Sequence, residues 1–139
     1  MTTEYSFIII DDLELDRFVT RKFLERTYES VIIDSFHDAQ HVLNMIHENS
    51  VANNPVPAII LLDLQMPLMD GFEFVEEFEK LPAEIKKSYK IIILTVLSSK
   101  SDPIDIYRIQ TYVSVNSIIQ KPLTREKLLS LLVQLRSEI

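Results

Sequence analysis

The chain has 139 residues, with 14 Lys and Arg against 21 Asp and Glu, a formal net charge of −7. That length suits one domain large enough to fold without staples, and 47% hydrophobic with 25% charged residues is the balance of an ordinary globular protein. With no cysteine there is no disulfide, thiolate zinc site or cysteine nucleophile, and with one glycine, Gly71, neither a Walker loop nor a dinucleotide fingerprint can form. The acidic balance has the wrong sign for binding nucleic acid. Met1 to Ile10 carries no basic cluster and is not a signal peptide, and runs such as Ala58 to Leu62 are too short to cross a bilayer. The expected compartment is the cytoplasm, with no nucleic-acid or membrane partner.

In chain order, short β-branched runs alternate with amphipathic stretches, the pattern of a parallel sheet covered on both faces. Strand one spans Tyr5 to Ile10, and its helix carries Leu15, Phe18, Val19 and Phe23 as an apolar face. Strand two is Val31 to Phe36, with Asp38 capping a helix whose apolar positions are Ala39, Val42, Leu43 and Ile46. Asn49 to Pro57 reads as a loop before strand three, Ala58 to Leu62. Asp70 caps a helix with Phe74, Val75, Phe78 and Leu81 on one face, and Pro82 to Ser88 is an irregular or short helical connection. Lys90 to Leu94 is strand four, and Ser101, Asp102 and Pro103 signal a helix start with a weak face of Ile104, Tyr107 and Thr111. Val115 to Ile119 is the last strand, and Thr124 caps a helix with Leu128, Leu131, Leu132, Leu135 and Ile139 on one stripe.

Ligands of an open parallel α/β sheet bind outside the carboxyl ends of the strands. There strand one delivers Asp11 and Asp12, strand three Asp63, strand four Thr95 and strand five Lys121. Singly each could be a cap, a turn residue or a solvated charge. Together they need a counter-charge, because three carboxylates about 4 Å apart repel by roughly 4 kcal/mol per pair at an effective dielectric of 20. Oxygen ligands in an incomplete cage suit Mg²⁺, which with Lys121 balances the three negative charges. A carboxylate beside such a cation is a competent nucleophile toward phosphorus. Asp63, alone on a central strand, is the candidate nucleophile, with Asp11 and Asp12 as metal ligands and Thr95 and Lys121 placed to hold phosphoryl oxygens.

Ile10-Asp11-Asp12, the block Leu61 to Gly71 (LLDLQMPLMDG), Leu94-Thr95 and Lys121-Pro122-Leu123 resemble the receiver domain of two-component response regulators, in order and spacing across the whole chain. The resemblance implies a flavodoxin-like (βα)5 three-layer sandwich with strand order 2-1-3-4-5, in a single domain over residues 1–139. It implies Asp63 as phosphoacceptor, Mg²⁺ held by Asp11, Asp12, Asp63 and the backbone carbonyl of Gln65, Thr95 as the switch hydroxyl, Lys121 as the phosphate-sensing cation, and a cis bond from Lys121 to Pro122. The phosphoryl donor would be a sensor histidine kinase or histidine phosphotransfer protein. With the last helix at the chain end, output is expected to go to a separate, unidentified protein, from a monomer or weak homodimer. The chain would not be an enzyme beyond self-dephosphorylation.

Three departures qualify the match. Val96 stands where a small residue usually follows the threonine, which implies slow labelling by small phosphodonors. Ile118 replaces the aromatic residue that often rotates as a switch, and Ser114, Val115 and Asn116 replace the usual small residues before the last strand. An aspartyl-phosphate phosphatase is disfavoured because the second acid it needs, two residues after the nucleophile, is here Gln65. A docking module indifferent to phosphate is the remaining alternative. His37 and His41 could share a helix face but lack a third metal ligand, Met66 and Met69 read as packing, and Asp16, Arg17 and Arg21 read as solvated helix charges.

Overall fold

The computed structural model describes residues 5–28, 30–48, 58–95, 103–121 and 123–137. The elements are β1 (Tyr5–Ile10), α1 (Glu14–Thr27), β2 (Val31–Phe36), α2 (Ala39–Glu48), β3 (Ala58–Asp63), α3 (Gly71–Glu79), α4 (Ala83–Lys86), β4 (Tyr89–Thr95), α5 (Pro103–Gln110), β5 (Val115–Gln120) and α6 (Arg125–Ser137). All strands are parallel, in the order β2-β1-β3-β4-β5. The expected loop over Asn49 to Pro57, Val96, the expected helix start at Ser101-Asp102, the expected cis bond to Pro122, and Ile139 lie outside the described residues.

Alternation along the strands divides the core in two. Ile8, Ile10, Ile60, Leu62, Ile91 and Ile93 pack with Val42, Ile46, Phe74, Phe78 and Ile109 from α2, α3 and α5. Phe7, Ile9, Ile59, Leu61, Ile92 and Leu94 face the other way, against Leu24 of α1 and Leu128 and Leu131 of α6. Every residue of β3 is buried, as a central strand covered on both faces must be.

Caps fix several helix starts. The Asp38 carboxylate accepts from the Gln40 N–H at 2.9 Å, Asp70 from the Glu73 N–H at 2.9 Å, and the Thr124 hydroxyl from the Lys127 N–H at 3.2 Å. α2 buries the expected Ala39, Val42, Leu43 and Ile46.

Two helix faces differ from expectation. In α1, Leu15, Phe18 and Val19 are exposed, and Leu24 is the buried residue. Arg17 and Arg21 are not solvated charges: their guanidiniums donate to the carbonyls of Asp11 (2.7 Å) and Ile33 (3.1 Å). One guanidinium thus meets the carbonyl just past the end of β1 and the other a mid-strand carbonyl of the edge strand β2, so the stripe of arginines and Leu24 meets the sheet. In α5 the face is carried by Ile109, with Tyr112 packed after the helix end, while Tyr107 and Thr111 are exposed.

Candidate functional site

Strand register assembles the site. Ile10 pairs with Leu62, so Asp11 lies beside Asp63 at the carboxyl edge. Asp63 in turn pairs with Leu94 and Thr95 with Gln120. The Lys121 N–H donates to the Thr95 carbonyl at 2.8 Å, which fixes the lysine backbone next to β4.

Asp11, Asp63 and Thr95 are the buried polar or charged side chains among the described residues. Asp11, Asp12 and Asp63 each present an oxygen within 4.8 Å of the others, so the sheet brings together the three acids singled out from sequence. Asp11 is fixed on both sides: Oδ1 accepts from the Leu13 N–H at 3.0 Å and Oδ2 from Lys121 Nζ at 3.1 Å. Lys121 Nζ lies 3.8 Å from Asp63 Oδ1. Gln65 is exposed, and its N–H makes a long 3.4 Å contact to Asp63 Oδ1.

Burial pushes the Asp63 carboxyl up to about 6, the nearby Lys121 cation opposing the rise and the Asp11 and Asp12 charges adding to it. Burial opposes the charge on Lys121 too, but its hydrogen bond to Asp11 and the neighbouring charges of Asp63 and Asp11 outweigh this and hold it above the ordinary ammonium value. The site is short of positive charge. Three hard oxygen donors in that state fit a divalent cation such as Mg²⁺.

The loop carrying Asp63 to α3 is tightly built. Leu68 has φ 67° and is almost fully exposed, a left-handed conformation rare for a leucine. The Gly71 N–H donates to the Leu64 carbonyl at 3.0 Å and closes the loop.

The sequence matches the response regulator receiver domain family over residues 7–133. The chain belongs to this family. A two-component response regulator from Cytophaga hutchinsonii superposes on this receiver domain with a TM-score of 0.81 at 24% identity, covering 99% of both chains. A response regulator receiver protein from Dyadobacter fermentans gives 0.77 at 28% identity, over 94% of this chain and 95% of the other. The probable methanogenesis regulatory protein FilR2 of Methanothrix harundinacea is 23% identical over 124 residues, 89% of this chain and 76% of its own length. Two further curated relatives are longer, the chain spanning 51% and 22% of them. The flavodoxin-like fold with strand order 2-1-3-4-5 is therefore that of the family. Receiver domains are signalling phosphoacceptors, and among the described residues no helix is long and apolar enough to cross a membrane.

Asp16, read from the sequence as a solvated helix charge, instead joins this site. Lys121 Nζ donates to Asp16 Oδ2 at 3.1 Å, so the lysine has a second carboxylate partner, 105 residues away in sequence. Its position in the first turn of α1 gave no signal, because acids are common there for the helix dipole alone.

Proposed function

We propose that this is a cytoplasmic receiver domain whose Asp63 accepts a phosphoryl group from the phosphohistidine of a sensor histidine kinase or histidine phosphotransfer protein, and that the phosphorylated form signals to a downstream protein. A carboxylate oxygen of Asp63 forms the new O–P bond as the P–N bond breaks, and the electron pair of that bond stays on the imidazole nitrogen. No general base is required, because the nucleophile is already ionised. Asp11, Asp12, Asp63 and the Gln65 carbonyl would hold Mg²⁺, which when bound neutralises charge on the phosphoryl oxygens. The Thr95 hydroxyl donates to one of those oxygens and Lys121 pairs with another, so Lys121 changes partner when Asp63 is modified. That exchange biases a two-state equilibrium read by the downstream protein. The domain does no chemistry on other substrates and at most loses its own phosphoryl group.

The observation that carries this reading is the meeting of Asp63 with Asp11 and Asp12 on one side and Lys121 on the other. Incubation with Mg²⁺ and acetyl phosphate is expected to add one phosphoryl group to the intact mass, and beryllofluoride to shift amide resonances around Asp63 and Thr95. Asp63→Asn should abolish both. A wild-type protein that stays unlabelled and unshifted, while still binding Mg²⁺, would move the assignment to the phosphate-indifferent docking module.

The exposed apolar face of α1 fits the protein donor. Leu15, Asp16, Val19, Thr20, Phe23 and Lys121 help to line a cavity of about 380 Å³ that runs up to the phosphoacceptor edge. Phe18 and Val19 are each more than half exposed beside it. A donor helix seated there would present its histidine to Asp63. Replacing Phe18 and Val19 with serine should slow transfer from the protein donor by about tenfold relative to labelling by acetyl phosphate; equal slowing of both rates would exclude this face as the docking surface.

A further inference from the structure

Lys121 does not point at Asp63. Its ammonium is 3.1 Å from Asp11 Oδ2 and 3.1 Å from Asp16 Oδ2, but 3.8 Å from Asp63 Oδ1. Two of its three protons are thus engaged by carboxylates other than the phosphoacceptor. Asp11 belongs to the acidic trio, whereas Asp16 stands outside it, in the first turn of α1, with its side chain 37% exposed against 7% for Asp11 and 11% for Asp63.

We infer that Asp16 is a positioning residue for Lys121, holding its ammonium at the rim of the site and competing with the phosphoryl group for it. The inference rests on the reading of Asp63 as phosphoacceptor. Among the described residues, Lys121 is the cation paired with Asp11, Asp16 and Asp63, and Asp12 adjoins the same cluster. The Lys121 backbone is tied to Thr95, so the side chain can exchange partners only by swinging on its flexible stem. While Asp16 keeps one proton of the ammonium, the phosphoryl oxygens receive a shared cation. Without it they receive the whole charge.

The pair is partly exposed, and such pairs contribute little to global stability, so Asp16→Asn should melt within a degree or two of the wild type. Its effect should instead appear at the site. In Mg²⁺ buffer, Asp16→Asn is expected to bind beryllofluoride about three- to tenfold more tightly, measured by amide NMR titration. Glu14→Gln is the control, because it removes the same charge from the same helical turn at an exposed position. It should leave the affinity within a factor of about two, as expected for a screened surface charge.

A second readout needs neither metal nor beryllofluoride. In the metal-free protein the Lys121 ammonium resonance should be sharp in the wild type and in Glu14→Gln, and broadened by rotation and exchange in Asp16→Asn. If Asp16→Asn and Glu14→Gln tighten binding equally, Asp16 acts only as a distant charge and the inference is overturned. It is also overturned if Asp16→Asn leaves both the affinity and the ammonium resonance unchanged in a protein whose wild type binds beryllofluoride. Failure of the wild type itself to respond would instead remove the phosphoacceptor reading.

Discussion

Asp63→Asn is expected to raise the stability of the metal-free protein at pH 8 by on the order of 2 kcal/mol, roughly 8 °C in Tm for a domain of this size. The cause is a buried carboxyl whose pKa is pushed from 3.8 up to about 6 by burial, with Asp11 and Asp12 adding to the rise against the pull of Lys121. In the unfolded chain Asp63 releases its proton near its ordinary value. In the folded chain it keeps the proton to about pH 6. Between those values the folded state binds more protons, so raising the pH favours unfolding. The contribution of Asp63 is thus least unfavourable below about pH 4, and stability is lost as the pH rises through its folded pKa. This slope is opposite to the usual acid denaturation of salt-bridged carboxylates. Asparagine carries no charge at any pH, so the variant should lose this part of the pH dependence and differ least from the wild type near pH 4. Equilibrium denaturation at pH 4, 6 and 8 without divalent cations tests this. Added Mg²⁺ should stabilise the wild type more than the variant, because a ligand that binds only the folded state adds to its stability. An Asp63→Asn protein that is less stable than the wild type at pH 8, or that keeps the same slope, would show that Lys121 already compensates the buried charge.

The same residues show what a sequence can and cannot disclose. Asp11, Asp12, Asp63, Thr95 and Lys121 were legible because parallel topology delivers every strand end to one edge, so the residue after each apolar run needs no further coordinate to be placed. α2 was legible for a related reason: one apolar stripe, Ala39, Val42, Leu43 and Ile46, with a cap before it, leaves a single way to lie on the sheet. α1 was not, because it carries two usable stripes. The bulkier one, Leu15, Phe18 and Val19, remains open beside the site, and the stripe of Arg17, Arg21 and Leu24 meets the sheet. Periodicity measures the width of an apolar face but not which neighbour it meets. The contact between Asp16 and Lys121 was hidden for a third reason, since it depends on how a long side chain divides itself among carboxylates contributed by distant elements. The face of α5 was misread on local grounds: Ile109 and Tyr112, rather than Tyr107 and Thr111, pack inward, while Arg108 of the same segment pairs with Glu76 of α3 at 2.5 Å.

Gly71→Ala is the second large expected effect, a loss of about 3 kcal/mol. The sign is informative, because alanine elsewhere in a helix is favoured over glycine by up to about 1 kcal/mol. Nor is left-handed backbone the reason for the glycine, since no glycine here has positive φ. Space is the reason. A Cβ on residue 71 would stand 2.8 Å from the Asp63 carbonyl oxygen, 2.8 Å from Leu64 Cα and 2.9 Å from Leu64 Cδ2. The first two are backbone atoms, and the Asp63 peptide is pinned between the β3 ladder and the hydrogen bond from the Gly71 N–H to Leu64. Relief therefore requires α3 to move away from β3, which would open the packing of Phe74 and Phe78 against Ile60, Leu62 and their neighbours. The Asp63 peptide would move with the loop, so weaker beryllofluoride binding should accompany the lower melting temperature. Amide shifts at Asp63 and Leu64 in the unliganded variant would locate the strain at this contact. An alanine variant as stable as the wild type, with unshifted Asp63, would mean that the helix start yields without disturbing the phosphoacceptor, and that the glycine is not what holds the two together.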